Sequence, residues 1–183
     1  MSALLALLQE HTVTLFPRHK LRGIVRENLD AVILSGGHGF SVMSHPEHFS
    51  EELDFIRAYE QPLIGICLGA ELIVAAFGGQ LVRMPQRRNG TMRISLTHEE
   101  TMPANFSVSE AHEWAIPALP DGLICIAQSQ DGCELFRSAD RRIVGMQFHP
   151  ELSGAAVQSY FLDEILPKKR ADRLVDSNMH SLS

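Results

Sequence analysis

Apolar residues fall in short blocks along this chain, and the character of the blocks changes near residue 80. Residues 2–10 carry leucines at helical spacing, and residues 51–60 form an amphipathic pattern with Leu53, Phe55, Ile56 and Tyr59 as its apolar members. Residues 30–34 and 62–67 are compact apolar runs of strand length, and residues 12–16 alternate in the manner of a strand. Behind the second run, residues 68–77 resume a helical pattern that Gly78-Gly79 stops. Strands alternating with helices predict a parallel α/β sheet. After residue 80 the runs 80–84, 92–96, 123–127, 134–136 and 143–148 read as strands with little helix between them. This predicts an antiparallel excursion before the chain rejoins the main sheet, with a last helix over residues 157–166. The expectation is one domain over residues 1–166 and a charged tail over residues 167–183.

Composition narrows the function more than the fold. The chain has 183 residues, 45% of them hydrophobic, and a formal net charge of −6. That balance offers no footprint for nucleic acid. Residues 3–8 are too short an apolar run to span a membrane, and no basic segment precedes them. Three cysteines form no even disulfide framework, and together with the missing signal segment they predict a reducing cytoplasm. The run His45-Pro46-Glu47-His48 has metal-like residue types, but it reads as a surface loop without matched ligands elsewhere. Neither a metal nor a cofactor is expected.

The candidate chemistry sits where strands end. Cys67 follows an apolar strand, precedes a helix, and has glycine two positions away on each side, at Gly65 and Gly69. Those glycines lack the Cβ atoms that would collide in a tight strand-to-helix turn, which is the steric logic of a nucleophile elbow. Such a turn raises the sulfur above the sheet at a helix N-terminus, where the dipole favours thiolate. His149 stands just past another strand, with Glu151 two residues on. This is a Cys-His-Glu version of the serine-histidine-aspartate arrangement. Leu68 and Gly37 could supply backbone N–H donors to an oxyanion, with Gly36 allowing close approach. In open α/β sheets ligands bind outside the carboxyl ends of the strands, so Ser35-Gly36-Gly37, Cys67 and His149 would converge if their strands are parallel neighbours. Each feature alone also has a plain structural reading: a small core cysteine, a strand-exit turn, a proline-stiffened turn.

Together these motifs carry a resemblance. Gly65-Ile66-Cys67-Leu68-Gly69, Phe148-His149-Pro150-Glu151 and Leu34-Ser35-Gly36-Gly37 resemble the hallmarks of the class-I, triad-type glutamine amidotransferases, in the family's order. Residues 111–129 are similar to a stretch in the amidotransferase part of GMP synthases. The resemblance implies a flavodoxin-like fold: an open, mostly parallel sheet flanked by helices. It also implies hydrolysis of the glutamine side-chain amide through a thioester at Cys67. In relatives the ammonia passes to a synthetase, so a partner synthetase subunit is implied. Substrate contact is implied for Gly36, for the residue four after the nucleophile, and for His112.

Three departures stand out. Glu71 replaces the family's glutamine four residues after Cys67, and γ-glutamyl hydrolases of the same superfamily resemble this chain there. A carboxylate so near would oppose thiolate formation, or serve only to complement the helix dipole. His38 replaces a frequent proline in the oxyanion loop. The chain starts directly with a helix, so the usual first strand is expected to be missing. A stand-alone γ-glutamyl hydrolase or peptidase, and a weakly active amidotransferase-like binding protein, are therefore the competing readings.

Overall fold

A computed structural model of the chain describes residues 2–17, 21–24, 29–37 and 40–167. Strands β1 (Val32–Leu34), β2 (Leu63–Ile66) and β9 (Ile143–Met146) lie side by side and parallel. Leu34 pairs with Gly65, and Ile66 with Met146, so all three strands end at one rim of the sheet. Beyond β9 the sheet continues antiparallel through β8 (Cys133–Ser138), β7 (Leu123–Gln128), β4 (Gly90–Leu96) and β5 (Asn105–Glu110). This is the antiparallel excursion expected from the second half, built into the same seven-stranded sheet. A separate ribbon pairs β3 (Val82–Arg83) with β6 (Trp114–Ala115).

Alternation along the central strands gives the sheet two apolar faces. Leu63 and Ile143 join one core with Phe55, Ile56, Leu72 and Ile73 from helices α3 (Ser50–Ala58) and α4 (Leu68–Ala76). Ile64, Ile66, Val144 and Met146 join the other with Leu4 of α1 (Ser2–Leu7) and Val157 of α5 (Ala155–Tyr160). The parallel strands read as near-continuous apolar runs because both faces are covered. Arg57 of α3 donates from Nε to the Ala76 carbonyl at 3.0 Å, satisfying a terminal acceptor of α4. A short helix, α2 (Leu21–Ile24), adds Leu21 and Ile24 to the first core.

Differences from the sequence reading are local. Residues 12–16 form no strand, and Leu15 is exposed. Alternation in a polar segment is insufficient when no neighbouring edge pairs with it. Strand β5, unforeseen, has only Phe106 and Val108 as strong apolar residues, and its pairing with β4 holds it in place. The closing helix covers residues 155–165, with a π-helical turn at Phe161–Ile165. His38 and residues 168–183, where an altered loop and a charged tail are expected, lie outside the described residues.

Candidate active site

The turn between β2 and α4 has the tight geometry that its glycines predict. Cys67 takes φ 52° and ψ −112°, a sparsely populated region for a side-chain-bearing residue that costs on the order of 1–3 kcal/mol. A Cβ on Gly65 would lie 2.6 Å from the Gly69 carbonyl carbon, and a Cβ on Gly69 would overlap the Leu34 carbonyl oxygen. The elbow therefore seats α4 directly on β2 and on the end of β1. The backbone N–H of Cys67 donates to the Met146 carbonyl at 2.7 Å, carrying the β9 pairing into the turn.

The sulfur itself is not raised into solvent. Cys67 is only 5% exposed, packed in the core that contains Leu4, Leu8, Ile64 and Val157. Elbow geometry sets the direction of the backbone, whereas exposure depends on what the rest of the chain lays over it. The thiol pKa is pushed up to about 12, first by burial and then by the Glu71 charge. A hydrogen bond from the Leu68 backbone and the charge of Arg87 pull the other way but do not prevail. Thus the helix N-terminus acts as expected, and desolvation outweighs it.

The third strand end supplies the imidazole. His149 Nδ1 and Glu151 Oε1 are 2.9 Å apart, and a carboxylate oxygen accepting there places the proton on Nδ1. Nε2 is thereby left with its lone pair. A Cβ built on Gly36 would meet His149 Cε1 at 3.1 Å, Cys67 Cβ at 3.5 Å and His149 Nε2 at 3.9 Å. Both side chains thus approach the Cβ position of Gly36, and a side chain there would press on the His149 ring. Beside it, a Cβ on Gly37 would stand 2.8 Å from Leu68 Cδ2, so the two expected oxyanion donors lie on adjoining segments.

The turn that carries His149 is anchored by residues that no motif singled out. The His149 backbone N–H donates to the Ser109 carbonyl of β5 at 2.8 Å. Ser153 Oγ donates to the His149 carbonyl at 2.7 Å and accepts from the Ser109 N–H at 2.9 Å. Ser109 Oγ donates to the Leu152 carbonyl at 2.7 Å. Serines are common in surface loops, so nothing in the linear chain marks these two.

Glu71, in the first turn of α4, is buried, and Gln147 Nε2 donates to its Oε1 at 3.1 Å. Burial raises the Glu71 pKa, opposed by that hydrogen bond and by the His112 charge. His112 is also buried, with Nδ1 bonded to the Trp114 carbonyl at 2.8 Å. Its charge lowers the Glu71 pKa, so the two buried groups are electrostatic neighbours. Half-buried His45 and exposed Glu47 and His48 form their own contacts, with His45 Nδ1 and Glu47 Oε1 3.3 Å apart.

The family model for the class-I glutamine amidotransferases matches residues 4–167, and the chain belongs to that family. It is a class-I glutamine amidotransferase similar to glutamine-hydrolysing GMP synthases. Over 142 residues it is 31% identical to a subunit of the glutamine-hydrolysing GMP synthase of Thermoplasma acidophilum, covering 70% of each chain. It is also 31% identical over 145 residues to the GMP synthase of Thermosipho africanus, which covers 77% of this chain but only 28% of that protein. A crystal structure from Thermoplasma acidophilum, assigned to a GMP synthase subunit, superimposes with a TM-score of 0.79 at 24% identity. That alignment covers 96% of this chain and 90% of the other, and establishes the same fold. Among the described residues no helix is long and apolar enough to cross a membrane.

Proposed function

We propose that the chain hydrolyses the side-chain amide of glutamine through Cys67, His149 and Glu151, and delivers ammonia to a GMP synthase-like partner synthetase. The observation that supports this is the shared approach of Cys67 and His149 to the Cβ position of Gly36, together with the 2.9 Å His149–Glu151 hydrogen bond.

In this reading His149 Nε2 takes the thiol proton as Cys67 Sγ attacks the amide carbon. Glu151 holds the imidazole in the required tautomer and stabilises the imidazolium. The backbone N–H groups of Leu68 and Gly37 bind the oxyanion, a donor of this kind being worth roughly 10²–10³ in rate. As the tetrahedral intermediate collapses, the C–N bond breaks and His149 returns the proton to the leaving ammonia. Water, deprotonated by His149, then attacks the thioester, which releases glutamate and restores the thiol. Gly36 and Glu71 border the substrate, and the positive His112 ring favours the charged form of Glu71. A thiol pKa pushed up to about 12 means the resting thiol is protonated, so its proton leaves for His149 as the sulfur attacks.

A second reading, a stand-alone γ-glutamyl hydrolase or peptidase, is favoured by Glu71. The decisive assay measures glutamate released from glutamine and from γ-glutamyl peptides, with Cys67→Ala as control. Thiol-dependent glutamine turnover supports the first reading, and peptide cleavage alone supports the second. Absence of both, with no labelling of Cys67 by a glutamine-analogue electrophile, would leave a binding protein.

A further inference from the structure

Three buried side chains outside the Cys67–His149–Glu151 group come together near the ends of β5 and β8. Glu110 ends β5, His112 follows on the way to β6, and Glu134 lies near the start of β8. They are 4%, 4% and 2% exposed. One donor atom from each lies within 4.8 Å of the others. The His112 ring is fixed by its Nδ1 contact with the Trp114 carbonyl at 2.8 Å. A carbonyl oxygen can only accept, so Nδ1 carries a proton and Nε2 is the nitrogen turned toward the carboxylates. Nε2 lies 3.4 Å from Glu110 Oε2 yet makes no hydrogen bond. Glu110 Oε1 and Glu134 Oε2 are buried and equally without a hydrogen-bond partner. Glu134 Oε1, by contrast, accepts from Ser129 Oγ at 2.6 Å.

Two carboxylates withdrawn from water demand compensation. One imidazolium supplies a single positive charge and leaves buried lone pairs unfilled. A doubly charged cation balances both carboxylates and takes up the unpaired atoms. Donor atoms within 4.8 Å of one another can share a single ion. Ligands about 2.1 Å from a tetrahedral ion stand about 3.4 Å apart, so modest side-chain rotation brings the three donors to three of the four positions and leaves the fourth to water. Imidazole as a donor favours the zinc class of ions over magnesium or calcium. Trp114 and Ser129 are placed as outer partners that orient a ligating imidazole and a ligating carboxylate. We infer that Glu110, His112 and Glu134 bind a zinc-type divalent ion as a structural site that clamps β5 and the approach to β6 onto β8.

The test starts from full-length protein stripped with EDTA and titrated with Zn²⁺. About one equivalent per chain should bind and raise the melting temperature, and EDTA should reverse the shift. Glu134→Gln and His112→Gln should abolish stoichiometric binding, and Ser129→Ala should weaken it by roughly ten- to a hundredfold. Cys67→Ser and a His45→Ala/His48→Ala double variant should bind as wild type does. Co²⁺ loaded into wild type should show visible d–d bands without a sulfur-to-cobalt charge-transfer band. That spectrum decides the donor set even if a variant fails to fold. Absence of stoichiometric Zn²⁺ binding by wild type, a cobalt–sulfur band, or binding lost in the Cys67 or His45/His48 variants would overturn the inference.

Discussion

Gln147 donates from Nε2 to Glu71 Oε1 at 3.1 Å, joining the residue two before His149 to the first turn of the helix that follows Cys67. The bond holds a carboxylate where its charge raises the Cys67 thiol pKa. Gln147 is itself fixed, because its backbone N–H donates to the Glu134 carbonyl at 2.9 Å. Glu71 is thus a buried charge kept in place by the same strand end that carries the imidazole.

Glu71→Gln should lower the Cys67 pKa by removing that charge. The pH profile of thiol alkylation should move to lower pH, and glutamine turnover should rise by several-fold, since one pKa unit is a tenfold change in thiolate when most of the thiol is protonated. An alkylation profile that does not move would rule out the Glu71 charge as a brake.

Gly36→Ala places a methyl group 3.1 Å from His149 Cε1 and 3.5 Å from Cys67 Cβ. The imidazole must retreat by a few tenths of an ångström or more. Displacements up to about 1 Å can lower rate by as much as roughly 10²-fold. Steady-state assays should show kcat falling at least about tenfold, with the melting temperature little changed. Wild-type kcat in this variant would mean that the close approach is unimportant.

Gly69→Ala should behave differently, because its Cβ would overlap backbone at Leu34 rather than a movable side chain. Overpacking of this kind costs about 1–3 kcal/mol, sometimes more. Urea denaturation should show a lower midpoint, and activity per folded molecule should fall as the elbow shifts. A midpoint equal to wild type would show that the seat of α4 on β1 is loose.

Ser153→Ala removes one hydrogen bond to the His149 carbonyl and one from the Ser109 N–H. A loss of about 1–3 kcal/mol in stability is expected, each bond contributing about 0.5–1.5 kcal/mol. If Ser153 positions the imidazole, kcat should drop more than KM changes, and Ser153→Thr should restore part of it. Equal loss in both variants, confined to stability, would mark a purely structural contact.

Alkaline pH should weaken the fold. Burial raises the pKa of Cys67, to about 12, and that of Tyr160, where the nearby Glu100 charge adds to the effect. Both groups hold their protons more firmly folded than unfolded, where a thiol titrates near ~8.5 and a phenol near ~10. Stability from each is therefore complete below those values and lost as pH climbs toward the folded pKa. Melting temperatures from pH 8 to 11 should fall, with a shallower slope in Cys67→Ala and Tyr160→Phe.

The elbow was legible because its constraint is local. Gly65, Cys67 and Gly69 lie within one turn, and the steric conflict that excludes a Cβ acts over those few residues. The strand ends at Ser35 and His149 were legible for a related reason: apolar runs that stop at polar loops announce a buried parallel strand. Strand β5 was not, because Asn105, Ser107, Ser109 and Glu110 lack the apolar content that marks a strand, and only pairing with β4 orders them. Nor could linear order reveal that Ser109 and Ser153 would anchor the His149 turn.

From its residues alone, this chain determined that a cysteine would sit on a strained strand-to-helix turn and that an imidazole would carry a carboxylate two positions on. Those are short-range facts, governed by backbone sterics and side-chain reach. Tertiary structure decided the rest: that Cys67 and His149 both come close to Gly36, that burial raises the thiol pKa, and that Glu110, His112 and Glu134 bring donor atoms within 4.8 Å of one another. Desolvation and through-space charge depend on which surfaces packing brings together. Segments far apart in the chain acquire those properties only when the sheet closes around them.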